Sequence, residues 1–107
     1  MSEVHVAVGV ILDNERRILL SKRAADAHQG GLWEFPGGKV ETGESLHAAL
    51  ERELREELDI TPGRTTELIE IRHDYGDKQV FLDVHVVWDF GGEPRALEGQ
   101  PLALSLI

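Results

Sequence analysis

The chain has 107 residues, 41% hydrophobic and 29% charged, with a formal net charge of −9 and no cysteine. Length and balance predict one globular domain over residues 1–107. Disulfides and thiolate metal sites are excluded, and the acidity argues against a partner gripped through a nucleic-acid backbone. No apolar run reaches membrane length and no apolar leader precedes Val4, so neither a membrane nor a secretory location is expected and the cytoplasm is the default.

In chain order, Val4 to Leu12 is rich in β-branched residues and reads as a strand, whose small Ala7 and Gly9 permit close packing. Asp13-Asn14-Glu15 reads as a turn, and Ile18 to Ser21 as a second strand hairpinned to the first. Lys22 and Arg23 close that strand. An alanine-rich connector follows with His28, a candidate for ligand contact against the commoner solvated loop histidine. Leu32 to Phe35 reads as a short strand, with Trp33 and Phe35 expected in the core. Phe35-Pro36-Gly37-Gly38-Lys39 reads as a glycine loop that lets a ligand approach the backbone, with a cation beside it.

Ser45 is a candidate N-cap for a helix whose buried face is Leu46, Ala49, Leu50, Leu54 and Leu58, stopped by Pro62 and Gly63. Glu53, Glu56 and Glu57 stand at i, i+3 and i+4 and flank that face. Each like-charge pair at this spacing costs roughly 0.2–0.5 kcal/mol, and the last turns of a helix already favour cations. Arg52 and Arg55 neutralise part of the cluster. A hard divalent cation, Mg²⁺ or Mn²⁺, would neutralise it more fully.

Beyond the helix, Thr65 to His73 alternates imperfectly, Asp74 to Lys78 is a turn with Tyr75 in it, and Val80 to Trp88 is the clearest strand. Gly91 to Pro94 ends it. Glu98-Gly99-Gln100-Pro101 is a loop, and the chain closes on a short apolar run. The order of elements supports an α/β or α+β class. A P-loop is excluded because Glu44 holds its lysine position, and neither GxGxxG nor an EF-hand loop occurs.

Gly38, Glu44, Arg52-Glu53-Leu54, Glu56-Glu57 and Ile60 together resemble the signature of the Nudix hydrolases at every fixed position except Asp59, where the family has glycine. GGKVETGE, RAADAH and EGQP are similar to MutT-type members. The resemblance implies a mixed β-sheet sandwiched between helices, here without the usual C-terminal helix; the sheet face left bare is expected either to be covered by a second subunit, as a homodimer, or to be aggregation-prone. It implies Mg²⁺-dependent (or Mn²⁺-dependent) hydrolysis of a nucleotide substrate, a nucleoside triphosphate, to monophosphate and pyrophosphate, with oxidised dGTP (8-oxo-dGTP) ahead of ADP-ribose or dinucleoside polyphosphates. A non-catalytic nucleotide-binding module is the alternative. The implied metal ligands are Gly37 through its carbonyl, Glu53, Glu56, Glu57 and Glu98. Either Glu53 or Glu98 is the implied base, Arg52 orients carboxylates, and Glu44 supports them. Arg23, His28, Phe35, Gly38, Lys39 and Tyr75 are the implied substrate contacts.

Overall fold

A computed structural model describes residues 2–23 and 31–106. His28 lies outside the described residues. The strands are β1 (Ser2–Ile11), β2 (Arg17–Lys22), β3 (Trp33–Glu34), β4 (Gly37–Lys39), β5 (Thr61–Pro62), β6 (Thr65–Asp74), β7 (Lys78–Val87), β8 (Phe90–Gly91) and β9 (Leu102–Leu106). The helix is α1 (Leu46–Leu58).

The main sheet has the order β4-β1-β7-β6. It is mixed: β1 runs parallel to β7, from Ser2 opposite Lys78 to Ile11 opposite Val87, while β4 and β6 are antiparallel to their neighbours. A second sheet has the order β3-β2-β9, and β5 pairs with β8. The expected β1–β2 hairpin is therefore corrected. The turn forms, with the Asp13 carboxylate accepting from the Glu15 and Arg17 backbone N–H groups, but only Leu12 and Ile18 bridge across it. Both edges of β1 are already occupied by β4 and β7, so β2 departs to another sheet.

The core is the buried face of α1 set against the main sheet. Ala49, Leu50, Leu54 and Leu58 pack with Ala7, Ile11, Leu19, Ile60 and Val87. A β-carbon on Gly9 would come within 3.3 Å of the Leu50 side chain, so the small residue lets the helix seat closely. Ser45 caps α1: its Oγ accepts from the Ala48 N–H at 3.1 Å. The helix stops at Asp59 (φ 58°, ψ 35°), one turn of chain before Pro62 and Gly63, and Pro62 belongs to β5.

Two further expectations change, and two runs read only in outline gain their structural account. Gly37–Lys39 is a strand, not a free loop, because its backbone completes the ladder of β1. Trp33 and Phe35 are 47% and 42% exposed rather than core, since β3 is a two-residue strand whose neighbourhood opens onto a cleft. The imperfect phase of β6 is a register shift between Glu67 and Ile69, with Leu68 as the extra residue. The terminal apolar run is β9, paired with β2 from Leu102 opposite Ser21 to Leu106 opposite Arg17. Among the described residues α1 is the only helix, so helical cover is one-sided. On the other face Ile69 and Ile71 remain 52% and 42% exposed. Among the described residues no helix is long and apolar enough to cross a membrane.

Candidate active site

Two glycines set the approach of strand to helix. Gly37 (φ 150°) lies so close to β1 that a β-carbon would collide with the Ala7 carbonyl oxygen. Gly38 faces the helix, and a β-carbon there would stand 2.5 Å from both carboxylate oxygens of Glu53. The missing side chains thus admit the Glu53 carboxylate to the backbone of β4.

Arg52 organises the first half of the cluster. Its Nε and Nη2 donate to the two oxygens of Glu44 at 2.8 and 3.0 Å, a bidentate pair. Nη2 also donates to the Lys39 carbonyl at 3.0 Å, and Nη1 to Glu53 Oε1 at 2.9 Å. The guanidinium beside Glu44, helped by the Glu41 backbone N–H, holds its carboxyl down at about 2. Glu56 stands apart: its side chain is 59% exposed and only brushes Arg52, at 3.6 Å.

Glu57 is the opposite case. Burial first, then the charges of Glu53 and Glu98, a hydrogen bond with Glu53 and the charge of Glu34 push its carboxyl up to about 8. Its Oε2 is buried without a hydrogen-bond partner. A buried carboxylate oxygen with no donor, ringed by other carboxylates, fits a proton or a cation and little else. Among the described residues no three acidic or imidazole side chains are drawn together tightly enough to hold a metal ion by themselves.

The last turn of α1 is tied to the loop that carries Glu98. Arg95 N–H donates to the Leu58 carbonyl at 2.9 Å and Leu97 N–H to the Glu57 carbonyl at 3.1 Å. Glu57 and Glu98, 41 positions apart in sequence, thereby line one recess of about 260 Å³ with Ser21, Lys22, Arg23, Glu34 and Gln100. Next to it opens a cleft of about 530 Å³. Val6, Val8, Leu20 and Leu82 floor it, Trp33 and Phe35 wall it, and Gly37, Gly38 and Lys39 form its rim. Its size suits a small organic ligand. Arg23 and Glu34 line both spaces and pair with each other at 2.9 Å.

Of the residues singled out from sequence, Gly37, Gly38, Lys39, Phe35 and Arg23 border the cleft, and Glu57 and Glu98 the recess. Glu53 joins them through Gly38 and Arg52. Tyr75 lines neither space; it sits on the β6–β7 turn, 58% exposed, edge-on to His73. Sequence reasoning missed Glu34 and Gln100 as site residues. Neither belongs to a periodic pattern, and only the neighbouring FPGG and EGQP runs hinted at them.

The NUDIX domain model matches residues 3–102. The 8-oxo-dGTP diphosphatase of Escherichia coli is 40% identical over 101 residues, covering 94% of this chain and 78% of that protein. The CTP pyrophosphohydrolase of the same organism is 41% identical over 95 residues, 89% of this chain and 70% of that one. A solved MutT structure, from a comparison of the Aliivibrio salmonicida and Vibrio cholerae proteins, superposes with a TM-score of 0.87 at 35% identity, covering 97% of this chain and 80% of its own. With its glycine-seated Glu53, its Arg52-braced Glu44 and its half-buried Glu57 in the positions of the Nudix signature, the chain belongs to the Nudix hydrolases, of the MutT type.

Proposed function

We propose that the protein hydrolyses a nucleoside triphosphate to the monophosphate and pyrophosphate, with 8-oxo-dGTP as its preferred substrate. One observation carries the reading: an aromatic-walled cleft of nucleobase size meets a carboxylate-lined recess across the Arg23–Glu34 pair. The base lies between Trp33 and Phe35 over the Val6, Val8 and Leu82 floor, and the phosphate chain runs toward the recess. The oxidised purine is favoured by the 40% identity to the 8-oxo-dGTP diphosphatase. The similar identity to the CTP pyrophosphohydrolase supports a cytosine nucleotide as the second reading.

Glu53, Glu56, Glu57, Glu98 and the Gly37 carbonyl are the groups that would hold magnesium or manganese, whose oxygen-only preference they satisfy. When bound, such a cation supplies positive charge to phosphoryl oxygens and a more acidic water. The chain's own work is placement and proton handling. Arg52 keeps Glu44 ionised and fixes both Glu44 and Glu53 in orientation. Arg23, shared by the cleft and the recess, and Lys39 on the rim of the cleft offset phosphate charge. The water oxygen bonds to the α- or the β-phosphorus, the P–O bond bridging the two breaks, and the fragment on the far side leaves with the electron pair: pyrophosphate for attack at α, the monophosphate for attack at β. The water proton passes to a carboxylate, Glu53 or Glu98.

The test is pyrophosphate release from 8-oxo-dGTP, dGTP and CTP, and AMP release from ADP-ribose, each with Mg²⁺ and with chelator. The expected result is pyrophosphate release that needs Mg²⁺ and is fastest with 8-oxo-dGTP. Fastest turnover of CTP would select the second reading. Nucleotide binding with no hydrolysis would identify a binding module instead.

A further inference from the structure

Gln100 is among the side chains of the recess to which the reaction gives no part. Gln100 is half-buried, and its amide spans two segments of the chain. Its Nε2 donates to the Glu57 carbonyl at 3.1 Å, and its Oε1 accepts from the Glu98 backbone N–H at 3.0 Å. These two partners fix which end of the amide is nitrogen and which is oxygen. The Glu57 carbonyl is among the last four of α1, which lack partners within the helix, and the loop supplies two donors to it, from Gln100 and from Leu97.

The rest of the loop folds a turn around Glu98, closed by the Gly99 N–H on the Ala96 carbonyl at 3.0 Å, and that turn does not itself reach the helix. Glu98 is exposed and is followed by Gly99 in a left-handed turn (φ 73°). Leu97 and Arg95 reach the helix through backbone N–H groups, but they precede Glu98 and leave its own N–H to Gln100. A bridge from a helix carbonyl to a loop N–H needs a donor and an acceptor on one side chain of this length. Glutamate would accept but not donate, asparagine is one methylene shorter, and alanine does neither.

We propose that Gln100 is a positioning residue for Glu98: its amide ties the Glu98 backbone to the last turn of α1, so that the loop carboxylate and the helix carboxylate of Glu57 face the recess as one unit. The proposal rests on the reading that Glu57 and Glu98 serve the hydrolysis. The test compares wild type, Gln100→Ala, Gln100→Glu, Glu98→Gln and the double variant Glu98→Gln/Gln100→Ala in Mg²⁺-supported nucleoside triphosphate hydrolysis. It also follows backbone amide hydrogen exchange of the cation-free proteins.

Gln100→Ala should lower kcat roughly 10–100-fold, as loss of an outer support of a metal-site carboxylate does, and leave KM within about twofold. In the Glu98→Gln background the same change should cost no more than about twofold further, because the two act as a unit. The Glu98 amide should exchange at least ~10-fold faster in Gln100→Ala, while the Leu54 amide in mid-helix keeps its protection. Gln100→Glu, nearly the same shape, should lose activity too, and it carries the test if the alanine variant does not fold. Losses that multiply in the double variant would assign Gln100 a merely structural part and overturn the proposal. A slowed Glu98→Gln beside an unslowed Gln100→Ala would overturn the proposal alone. An unslowed Glu98→Gln would overturn the reading beneath it and the proposal together.

Discussion

Gly38 and Glu53 occupy each other's space: the carboxylate of Glu53 fills the volume that any other residue at position 38 would need for its β-carbon. The glycine therefore serves the helix side chain opposite it rather than a turn, since its backbone is ordinary strand paired with Ala7. Gly38→Ala should leave the fold intact, because the displaced atoms are the tip of a flexible side chain. The Glu53 carboxylate would be driven off its place beside Arg52. A misplacement of about 1 Å near a reaction centre costs on the order of 100-fold, so kcat should fall by about that factor with little change in the unfolding midpoint. Kinetics and thermal unfolding of one preparation check both halves.

The two extreme carboxylates of the cluster predict opposite pH dependences in the cation-free protein. Glu57 is raised from an ordinary 4.5 to about 8, so between those values the folded chain holds a proton that the unfolded chain has lost. Stability from this group is fully present below 4.5 and is lost as pH rises through about 8. Glu44 is lowered to about 2, so its contribution is present above 4.5 and is lost as pH falls through about 2. With chelator present, the unfolding temperature should decline from about pH 5 to about pH 8, and Glu57→Gln should flatten that decline. A wild-type midpoint that rises across this range would contradict the assignment to Glu57.

Asp59 departs from the family glycine at a position the helix end forces into left-handed geometry (φ 58°, ψ 35°). Left-handed backbone costs a residue with a β-carbon roughly 1–2 kcal/mol, and an acid at a helix C-terminus opposes the macrodipole. Glycine loses more chain entropy, by roughly 0.5–1 kcal/mol. Asp59→Gly should therefore stabilise the fold by about 1 kcal/mol, read as a higher urea midpoint at unchanged slope.

Much of this arrangement was legible in the sequence because it is local. The Ser45 cap and the leucine face of α1 follow from spacing alone, and so does the long strand β7. The Arg52 pairing with Glu53 was legible as neighbours on one helix, whereas its partners Glu44 and Lys39 lie before the helix and in β4. What was not legible depends on partners far away in the chain. Nothing in Ile18 to Ser21 tells that both edges of β1 are taken, so β2 read as its hairpin mate. Nothing in the terminal apolar run names β2 as its neighbour. Trp33 and Phe35 read as core because their size argues for burial; only the assembled cleft reveals that they wall an open space. Glu34 and Gln100 acquire meaning only where β3 and the Glu98 loop meet the end of α1.

The proposed hydrolysis requires that the half-buried Glu57 keep its proton until a divalent cation replaces it. Calorimetric titration of Mg²⁺ at neutral pH, in the presence of a non-hydrolysable triphosphate and in buffers of differing ionisation enthalpy, measures that exchange. Cation uptake should release a proton, approaching about one per site, and Glu57→Gln should abolish the release and weaken uptake. No cation uptake by the wild-type chain, or uptake without proton release, would contradict the account.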